Sequence, residues 1–265
     1  MTRSVATLFT LLWLGLLSGC GLLGEAPDKT AGWSAQRLYA EAKAELSDGN
    51  YENAIKLYEK LESRYPYGRY AQQAQMEIAY AYFRQNEIEN ALAACDRFIK
   101  LHPNHPNVDY MYYLKGVANF NEDLGLLAAV SRQDPTERDP KAAKDSFNAF
   151  RDLVTRYPDS KYTPDAMKRL AYLVNALAAL EVHVARYYYK RGAYVAAANR
   201  ATVVVTTYQT SPALEEALGL QVLAYDKLGL AQLRDDAMRV MKLNFPDSRY
   251  AQGIVEPKQP WWKLW

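Results

Sequence analysis

The chain has 265 residues, with 32 Lys or Arg against 30 Asp or Glu and a formal charge of +2. That near balance speaks against a nucleic-acid binder, whose footprint is a strong basic patch. Residues of the apolar classes make up 49% of the sequence, enough at this length for one or two packed cores. The unusual count is 21 Tyr, a residue whose ring fills helix packing and whose hydroxyl tolerates a wet edge.

At the N-terminus, Arg3 gives a short basic start, Val5 to Leu17 is uncharged and apolar, and Leu17-Ser18-Gly19-Cys20 follows at once. A basic start, a short apolar stretch and small residues at the cut site predict a secretory signal over 1–19, not a transmembrane helix. The last four residues resemble the bacterial lipobox, in which signal peptidase II cuts before the cysteine. The resemblance implies a diacylglycerol and an N-acyl chain on Cys20 and no other cofactor. Gly21 in place of Asp implies, by the enterobacterial sorting rule, the outer membrane of a Gram-negative bacterium with the protein facing the periplasm. Acyl chains hold a soluble domain on a bilayer because each buried methylene contributes about 0.8 kcal/mol. No other apolar run is long enough to span a bilayer. If Cys20 is acylated, Cys95 is a lone thiol, and its spacing to Phe98 and Ile99 places it in a helical core. Residues 20–33 read as a lipidated tether, with Pro27, Asp28, Lys29 and Gly32 before Ser34 starts a helix.

Beyond Ser34 the sequence repeats itself. A turn residue, a small residue and a Pro recur at fixed offsets: Gly49-Asn50-Tyr51, Ala54, Tyr58, Leu61 and Pro66, then Asn86, Ile88, Ala91, Cys95, Phe98 and Pro103. A third copy keeps the second half as Ser146, Phe150, Leu153 and Pro158. The fourth is Gly192-Ala193-Tyr194, Ala197, Ala201 and Val204 with Gln209 in the Pro place. The fifth is Gly229, Ala231, Arg234, Met238, Met241 and Pro246. Pro66 to Pro103 and Gln209 to Pro246 both span 37 residues. The pattern resembles the tetratricopeptide repeat, a helix-turn-helix unit of about 34 residues. It predicts an all-α superhelical solenoid of about five repeats in two subdomains sharing a long helix. Gly allows the positive φ of the inter-helix turn, the small residue lets two helices approach, and Pro ends the second helix. Thr163-Pro164, Ser211-Pro212 and Asp139-Pro140 predict capped helix starts. The β-branched run Val203 to Thr207 falls on the second helix of copy four.

Two spacings depart from 37. Pro103 to Pro158 is 55, which places an insertion in copy three near 121–138. Pro158 to Gln209 is 51, and no Gly or Pro interrupts Asp165 to Arg191, so a helix of about 40 Å is predicted there. Repeats 1–3 are therefore assigned to 34–158 and repeats 4–5 to 159–251, with a Trp-rich tail at 252–265. The tail ends Pro260-Trp261-Trp262-Lys263-Leu264-Trp265, apolar surface that wants burial on its own domain, a partner or a membrane interface.

In the tetratricopeptide family the first helix of each pair lines the concave face. Its register, transferred here, puts Tyr39, Lys43 and Leu46, then Gln73, Met76, Tyr80, Phe83 and Arg84, then Tyr110, Tyr113, Val117 and Phe120 on that face, with Arg69 at the start of the second set. Such a groove suits an extended peptide with aromatic side chains whose terminal carboxylate pairs with Lys or Arg; the alternative is that the rings pack between helices. A second cluster runs from Arg191 and Tyr194 to Asn199-Arg200, where Arg200 either snorkels to solvent or anchors a partner's carboxylate. His102 and His105 flank prolines, His183 lies in the long helix, and Asp109 alone does not complete a metal set. No Gly-x-Ser-x-Gly, phosphate loop or His-Glu-x-x-His occurs, which reads as a non-catalytic protein.

Taken in order, the lipobox, Asp48-Gly49-Asn50-Tyr51, Arg64-Tyr65-Pro66-Tyr67-Gly68-Arg69-Tyr70, the run Arg97 to Asn107, Arg138-Asp139-Pro140 and Arg191-Gly192-Ala193-Tyr194-Val195 resemble the BamD (ComL) family. These are lipoproteins of the outer-membrane β-barrel assembly machinery, and the resemblance covers almost all of the chain past the signal. It implies five repeats and a C-terminal half that docks on the POTRA domains of a BamA-like barrel protein. It also implies other assembly-machinery lipoproteins as partners. The N-terminal half is expected to recognise unfolded outer-membrane β-barrel substrates by a C-terminal segment ending in an aromatic residue. In that family the Arg of the Asn-Arg pair contacts the barrel component; here it is Arg200, with Arg191, Tyr194 and Asn199 in the same cluster. The Trp-rich tail departs from the family pattern. The alternative is another periplasmic tetratricopeptide scaffold lipoprotein, a cell-envelope scaffold or secretion pilot, which would not bring down a POTRA-bearing barrel protein.

Overall fold

The computed structural model describes residues 28–120 and 141–253. The signal segment, Cys20, the insertion at 121–138, the Asp139-Pro140 helix start and the Trp residues of the tail lie outside the described residues. Ten α-helices and no strand are found among the described residues: α1 (Ala35–Ser47), α2 (Tyr51–Arg64), α3 (Arg69–Arg84), α4 (Ile88–Leu101), α5 (Val108–Asn119), α6 (Lys141–Arg156), α7 (Thr163–Lys190), α8 (Tyr194–Thr207), α9 (Leu214–Lys227) and α10 (Ala231–Asn244). They pack as five antiparallel pairs, each also touching the next, which is the tetratricopeptide solenoid.

The turn inside four of the pairs has one construction. Gly49, Asn86, Gly192 and Gly229 take φ of 82°, 62°, 76° and 70°. The N–H that follows each of them reaches back five residues: Asn50 to Glu45, Glu87 to Tyr82, Ala193 to Tyr188 and Leu230 to Tyr225, at 2.8–3.0 Å. This Schellman closure satisfies carbonyls left open at the helix end, and it works only if the preceding residue is left-handed. Each second helix then ends on an aromatic residue: Tyr65, His102, Tyr157, Tyr208 and Phe245 donate their N–H to Leu61, Phe98, Leu153, Val204 and Met241. Those five acceptor residues are all fully buried. The small place of the repeat is likewise buried as Ala54, Ala91, Ser146 and Ala197, and the Ser146 hydroxyl donates to the Gly116 carbonyl at 2.9 Å. Arg234 occupies that place in α10, the last helix among the described residues, and it pairs with Asp226 and Asp235.

Three expectations are corrected. Thr163 does not cap α7; it is the first helical residue, and its hydroxyl donates 2.8 Å to the Tyr157 carbonyl, tying the loop instead. Ser211 sits three residues ahead of α9 and accepts from the Ala213 N–H at 3.2 Å, a loop bond in place of a cap. Leu46 turns away from the groove into the core of repeat 1. The run Val203 to Thr207 is helical despite its β-branching. The hydroxyls of Thr202 and Thr206 bond back to Ala198 and Thr202, and Val204 is locked in the core.

At 28 residues, α7 is about 42 Å long. The largest apolar cluster runs from Met76 on α3 to Leu220 on α9 and passes through its Leu173, Leu177, Ala178, Val182 and Ala185, so the two halves share one core along this helix. Ser34 caps α1 as expected, accepting from Arg37 N–H at 3.2 Å. The stretch just ahead of it is not free tether. The Asp28 carboxylate accepts from the Thr30 N–H and hydroxyl, from Lys60 at 3.0 Å and from Arg64, while Arg64 also reaches the Thr30 carbonyl. The Thr30 bonds, with Lys60 beside them, hold the Asp28 carboxyl well below the usual carboxylate range. Tyr65 closes the docking by donating to the Trp33 carbonyl at 2.8 Å.

Helix approach is tightest at two glycines. A Cβ on Gly116 would lie 2.5 Å from the fully buried Phe150 ring, and one on Gly219 would lie 2.5 Å from Tyr250. Gly116→Ala is expected to destabilise the protein by about 1–3 kcal/mol through forced repacking of α5 on α6, read as a lower urea midpoint. An unchanged midpoint would mean that Phe150 yields freely.

Candidate functional site

On the concave side a cleft of about 440 Å³ opens between the first helices of repeats 1–3. Lys43 of α1, Met76, Glu77 and Tyr80 of α3, Asn107 and Tyr110 at the start of α5, and Lys161 and Tyr162 just before α7 line it. Met76 and Tyr80 lie one turn apart on α3, so a single helix face supplies both. A 440 Å³ concavity with several rings and a few polar groups is of ligand-pocket size.

Its rings are fixed from behind. Tyr162 stacks on Tyr113 at 4.8 Å and tilts against Tyr110 at 5.5 Å. The Tyr113 hydroxyl donates 2.8 Å to Asp165, which also accepts from Arg169 at 2.7 Å; the Arg169 bond leads in holding the Asp165 carboxyl low. Glu77 accepts from Lys43 at 2.5 Å and from the Tyr39 hydroxyl at 3.4 Å. Burial, followed by the Glu77 charge, pushes the Tyr39 phenol up to about 12, and the same two causes raise Tyr110. These tyrosines therefore present neutral hydroxyls across the physiological range.

Of the residues assigned to the groove from sequence, Lys43, Met76, Tyr80 and Tyr110 line the cleft. Tyr39 and Tyr113 stand one layer behind it. Arg84 reaches the cleft only through Tyr80, donating 2.6 Å to its hydroxyl while lying over the Tyr51 and Tyr80 rings at 5.2 and 5.6 Å. Arg69 is spent on the face of Tyr70 at 4.9 Å. Phe83 packs on the core, and Phe120 wedges against Phe150 and Tyr172 under Arg169. These last two are helix packing, the alternative the sequence left open. Glu77, Asn107, Lys161 and Tyr162 were missed. For Lys161 and Tyr162 the signal was in the linkers: Pro158-Asp159-Ser160-Lys161-Tyr162 recurs as Pro246-Asp247-Ser248-Arg249-Tyr250 and more loosely as Pro66 to Tyr70, whereas no such repeat marks Glu77 on α3 or Asn107 ahead of α5. In each the cation lies over the next ring, at 5.0, 4.8 and 4.9 Å.

The second cluster is an exposed surface around the turn from α7 to α8. Arg191 lies over the exposed Tyr187 ring at 5.8 Å, and Asn199 and Arg200 are exposed. Tyr194 is half-buried against Tyr189 at 5.4 Å. Arg200 does not simply snorkel. Its Nη1 donates 3.1 Å to Glu181, a carboxylate 2% exposed in the middle of α7, whose other oxygen faces Lys144 of α6 at 3.4 Å. The remaining guanidinium N–H groups are left for an outside carboxylate.

His102 faces Gln75 at 3.0 Å and packs with His105 around Phe98, and Asp109 is occupied by Ser160 at 2.6 Å. Among the described residues no three His, Cys, Asp or Glu groups converge on a metal position. Burial pushes the Cys95 thiol up to about 12, so it is an inert core residue.

Five stacked helix pairs around an aromatic cleft, with a separate charged surface on the fourth pair, define a tetratricopeptide-repeat binding scaffold. The family model of the outer membrane lipoprotein YfiO matches residues 32–240, and the chain belongs to this family, that of BamD. It is 49% identical over 258 residues to the outer membrane protein assembly factor BamD of Neisseria meningitidis serogroup A, covering 95% of this chain and 96% of the relative. The protein of the same name from Vibrio cholerae is 35% identical, covering 90% and 98%, and that of Haemophilus influenzae is 30% identical, covering 97% of each.

Arg200→Glu would set a second carboxylate against buried Glu181 and is expected to destabilise the fold by about 2 kcal/mol. The loss is smaller than the about 3–5 kcal/mol of a fully buried pair because Arg200 is half exposed and Lys144 still faces Glu181. Arg200→Gln is expected to keep most of that stability. Equal midpoints for the two variants in chemical unfolding would rule out the Glu181 contact.

Proposed function

We propose that this protein is a non-catalytic outer membrane protein assembly factor. It joins the POTRA-bearing barrel component of the β-barrel assembly machinery to unfolded outer-membrane substrates. The observation that carries the reading is likeness along nearly the whole chain to assembly factors at 30–49% identity, supported by a helical-repeat scaffold. That likeness disfavours an unrelated envelope scaffold or secretion pilot, and membership of the family places the protein at the outer membrane. In the finer reading, acyl chains on Cys20 anchor it with the repeats in the periplasm. Arg191, Asn199 and Arg200 meet a POTRA domain, with Tyr194 supporting them. The cleft of repeats 1–3 takes an aromatic segment of an unfolded barrel protein.

The charged surface supports the docking role. A half-exposed Arg fixed at one edge by Glu181 has little side-chain freedom left to lose when it meets a carboxylate. The cleft supports the substrate role through three rings and Met76, a surface suited to side chains that are buried in a finished barrel.

Affinity purification of the tagged, membrane-extracted protein should bring down a stoichiometric outer-membrane barrel protein with POTRA repeats. An inner-membrane or peptidoglycan partner in its place would sink the reading. Arg200→Gln should weaken binding to the isolated POTRA segment about tenfold, with thermal stability little changed; unaltered affinity removes Arg200 from the interface. Cys20→Ser should shift the protein from the membrane to the soluble periplasmic fraction, and its retention on membranes would count against the lipid anchor.

A further inference from the structure

Each second helix of the solenoid is covered by the pair that follows it. On α8 the face of Ala198, Ala201 and Thr202 meets α9: Ala198 packs with Ala224, Ala201 shares the main apolar cluster with Ala217 and Leu220, and Thr202 accepts from Gln221 at 2.7 Å. The 37-residue spacing of the fourth and fifth copies carries that face to Asp235, Met238 and Arg239 of α10. No helix covers it among the described residues. Met238 is only half-buried, while the same place is fully buried as Tyr58, Cys95, Phe150 and Ala201 in the four earlier pairs. A cavity of about 420 Å³ opens over Met238 and its neighbours Asp235, Arg239, Lys242 and Leu243. Leu233, Val240 and Leu243, the last 78% exposed, put more large apolar side chains in water than any other helix among the described residues. The end of a helical-repeat array ordinarily has a polar outer face, and α10 does not.

The chain itself is aimed at this face. Pro158-Asp159-Ser160-Lys161-Tyr162 leads into α7, which packs on α6, the second helix of the pair before. Pro246-Asp247-Ser248-Arg249-Tyr250 repeats that linker in geometry as well as in sequence. The Ser160 and Ser248 N–H groups donate to the Tyr157 and Phe245 carbonyls at 3.1 and 3.0 Å. Their hydroxyls accept from the Tyr162 and Tyr250 N–H groups at 3.2 and 3.3 Å, and in each the cation lies over the tyrosine. Tyr250 is then pinned on Gly219 of α9. Beyond Gly253 the sequence continues for residues 254–265, which include Ile254, Val255, Trp261, Trp262, Leu264 and Trp265. That stretch can reach about 40 Å at most, and α10 is about 21 Å long, so the whole outer side of α10 is within its reach.

We propose that residues 254–265 dock on their own α10, in the place that the first helix of a sixth pair would take, with the tryptophans over Met238 and Leu243. The chemistry matches on both sides. Three indoles bring a large apolar area to an apolar face, and the indole is the best aromatic partner for cations such as Arg239 and Lys242 at the edge of the cavity. A short covalent tether also holds the segment at high effective concentration beside α10, an advantage that a separate partner lacks. The tail thereby ends the solenoid, covering the fifth pair as each earlier pair is covered by the next.

The test is limited trypsin digestion of the purified, membrane-extracted protein, with cleavage after Lys258 followed by mass spectrometry. A synthetic peptide of residues 252–265 supplies the rate for an undocked tail. The protein is expected to be cut about tenfold more slowly than the peptide, because cleavage tracks the released fraction of the tail. Leu243→Asp should bring the rate close to that of the peptide; Leu243 belongs to no core cluster, so α10 keeps its fold. Trp261→Gln combined with Trp262→Gln, which alters no described residue, should do the same. Leu101→Asp, at an exposed leucine of α4, should leave the protection intact. A tail cut as fast as the peptide overturns the proposal. Protection retained in Leu243→Asp, or lost equally in Leu101→Asp, overturns it too, since the tail is then held by another surface or by detergent. Protection that fades on dilution assigns the face to a second copy of the chain and overturns it as well.

Discussion

A left-handed residue between two helices, followed by an N–H that reaches back five residues, folds the chain onto itself at Gly49, Asn86, Gly192 and Gly229. Because the closure has the same geometry each time, the second helix of each of these pairs returns against the first in a fixed register. That register brings the small place and the acceptor place of the repeat inward. The stacked pairs then carry their first helices along one side, and the cleft is the gap between three of them. Asn86 shows that the backbone conformation is the constraint and not glycine as such, since Asn tolerates the left-handed region better than other side-chain-bearing residues.

The long helix α7 converts this local repetition into one body. It belongs to the fourth pair, yet its apolar face continues the core begun on α3 and passes it on to α9. The one carboxylate buried within it, Glu181, is answered from both sides, by Lys144 of the third pair and Arg200 of the fourth. A buried charge is tolerated only when paired, so this contact fixes how α6, α7 and α8 meet. It also couples the exposed Arg200 to the interior, which makes the proposed docking surface part of the fold's own electrostatics.

The chemistry of the cleft is decided by which charges are already satisfied. Counting cations along the first helices suggests several equivalent anchors, but Glu77 pairs with Lys43, and Arg69 and Arg84 stand off the cleft wall. Lys161 comes from a linker, not from a first helix, so a register built on helices alone passes over it. The repeated Pro-x-x-cation-Tyr linker was legible, but nothing local distinguishes Lys161, which opens on a cleft, from Arg249, whose tyrosine is buried on Gly219.

The sequence by itself determined the helix pairs, their turns and most of their buried positions. Those follow from short-range rules: a left-handed turn residue, a small residue for close approach, a Pro where the helix must stop. It also determined the family, which rests on motifs strung in order along the chain. Only the tertiary structure decided which of the tyrosines face the cleft and which support it, why Thr163 ties a loop instead of capping a helix, and that the stretch from Asp28 to Trp33 belongs to repeat 1. Each of those depends on a partner 6 to 52 residues away, as with Tyr113 and Asp165, and side chains so separated meet only after the solenoid has set their distance.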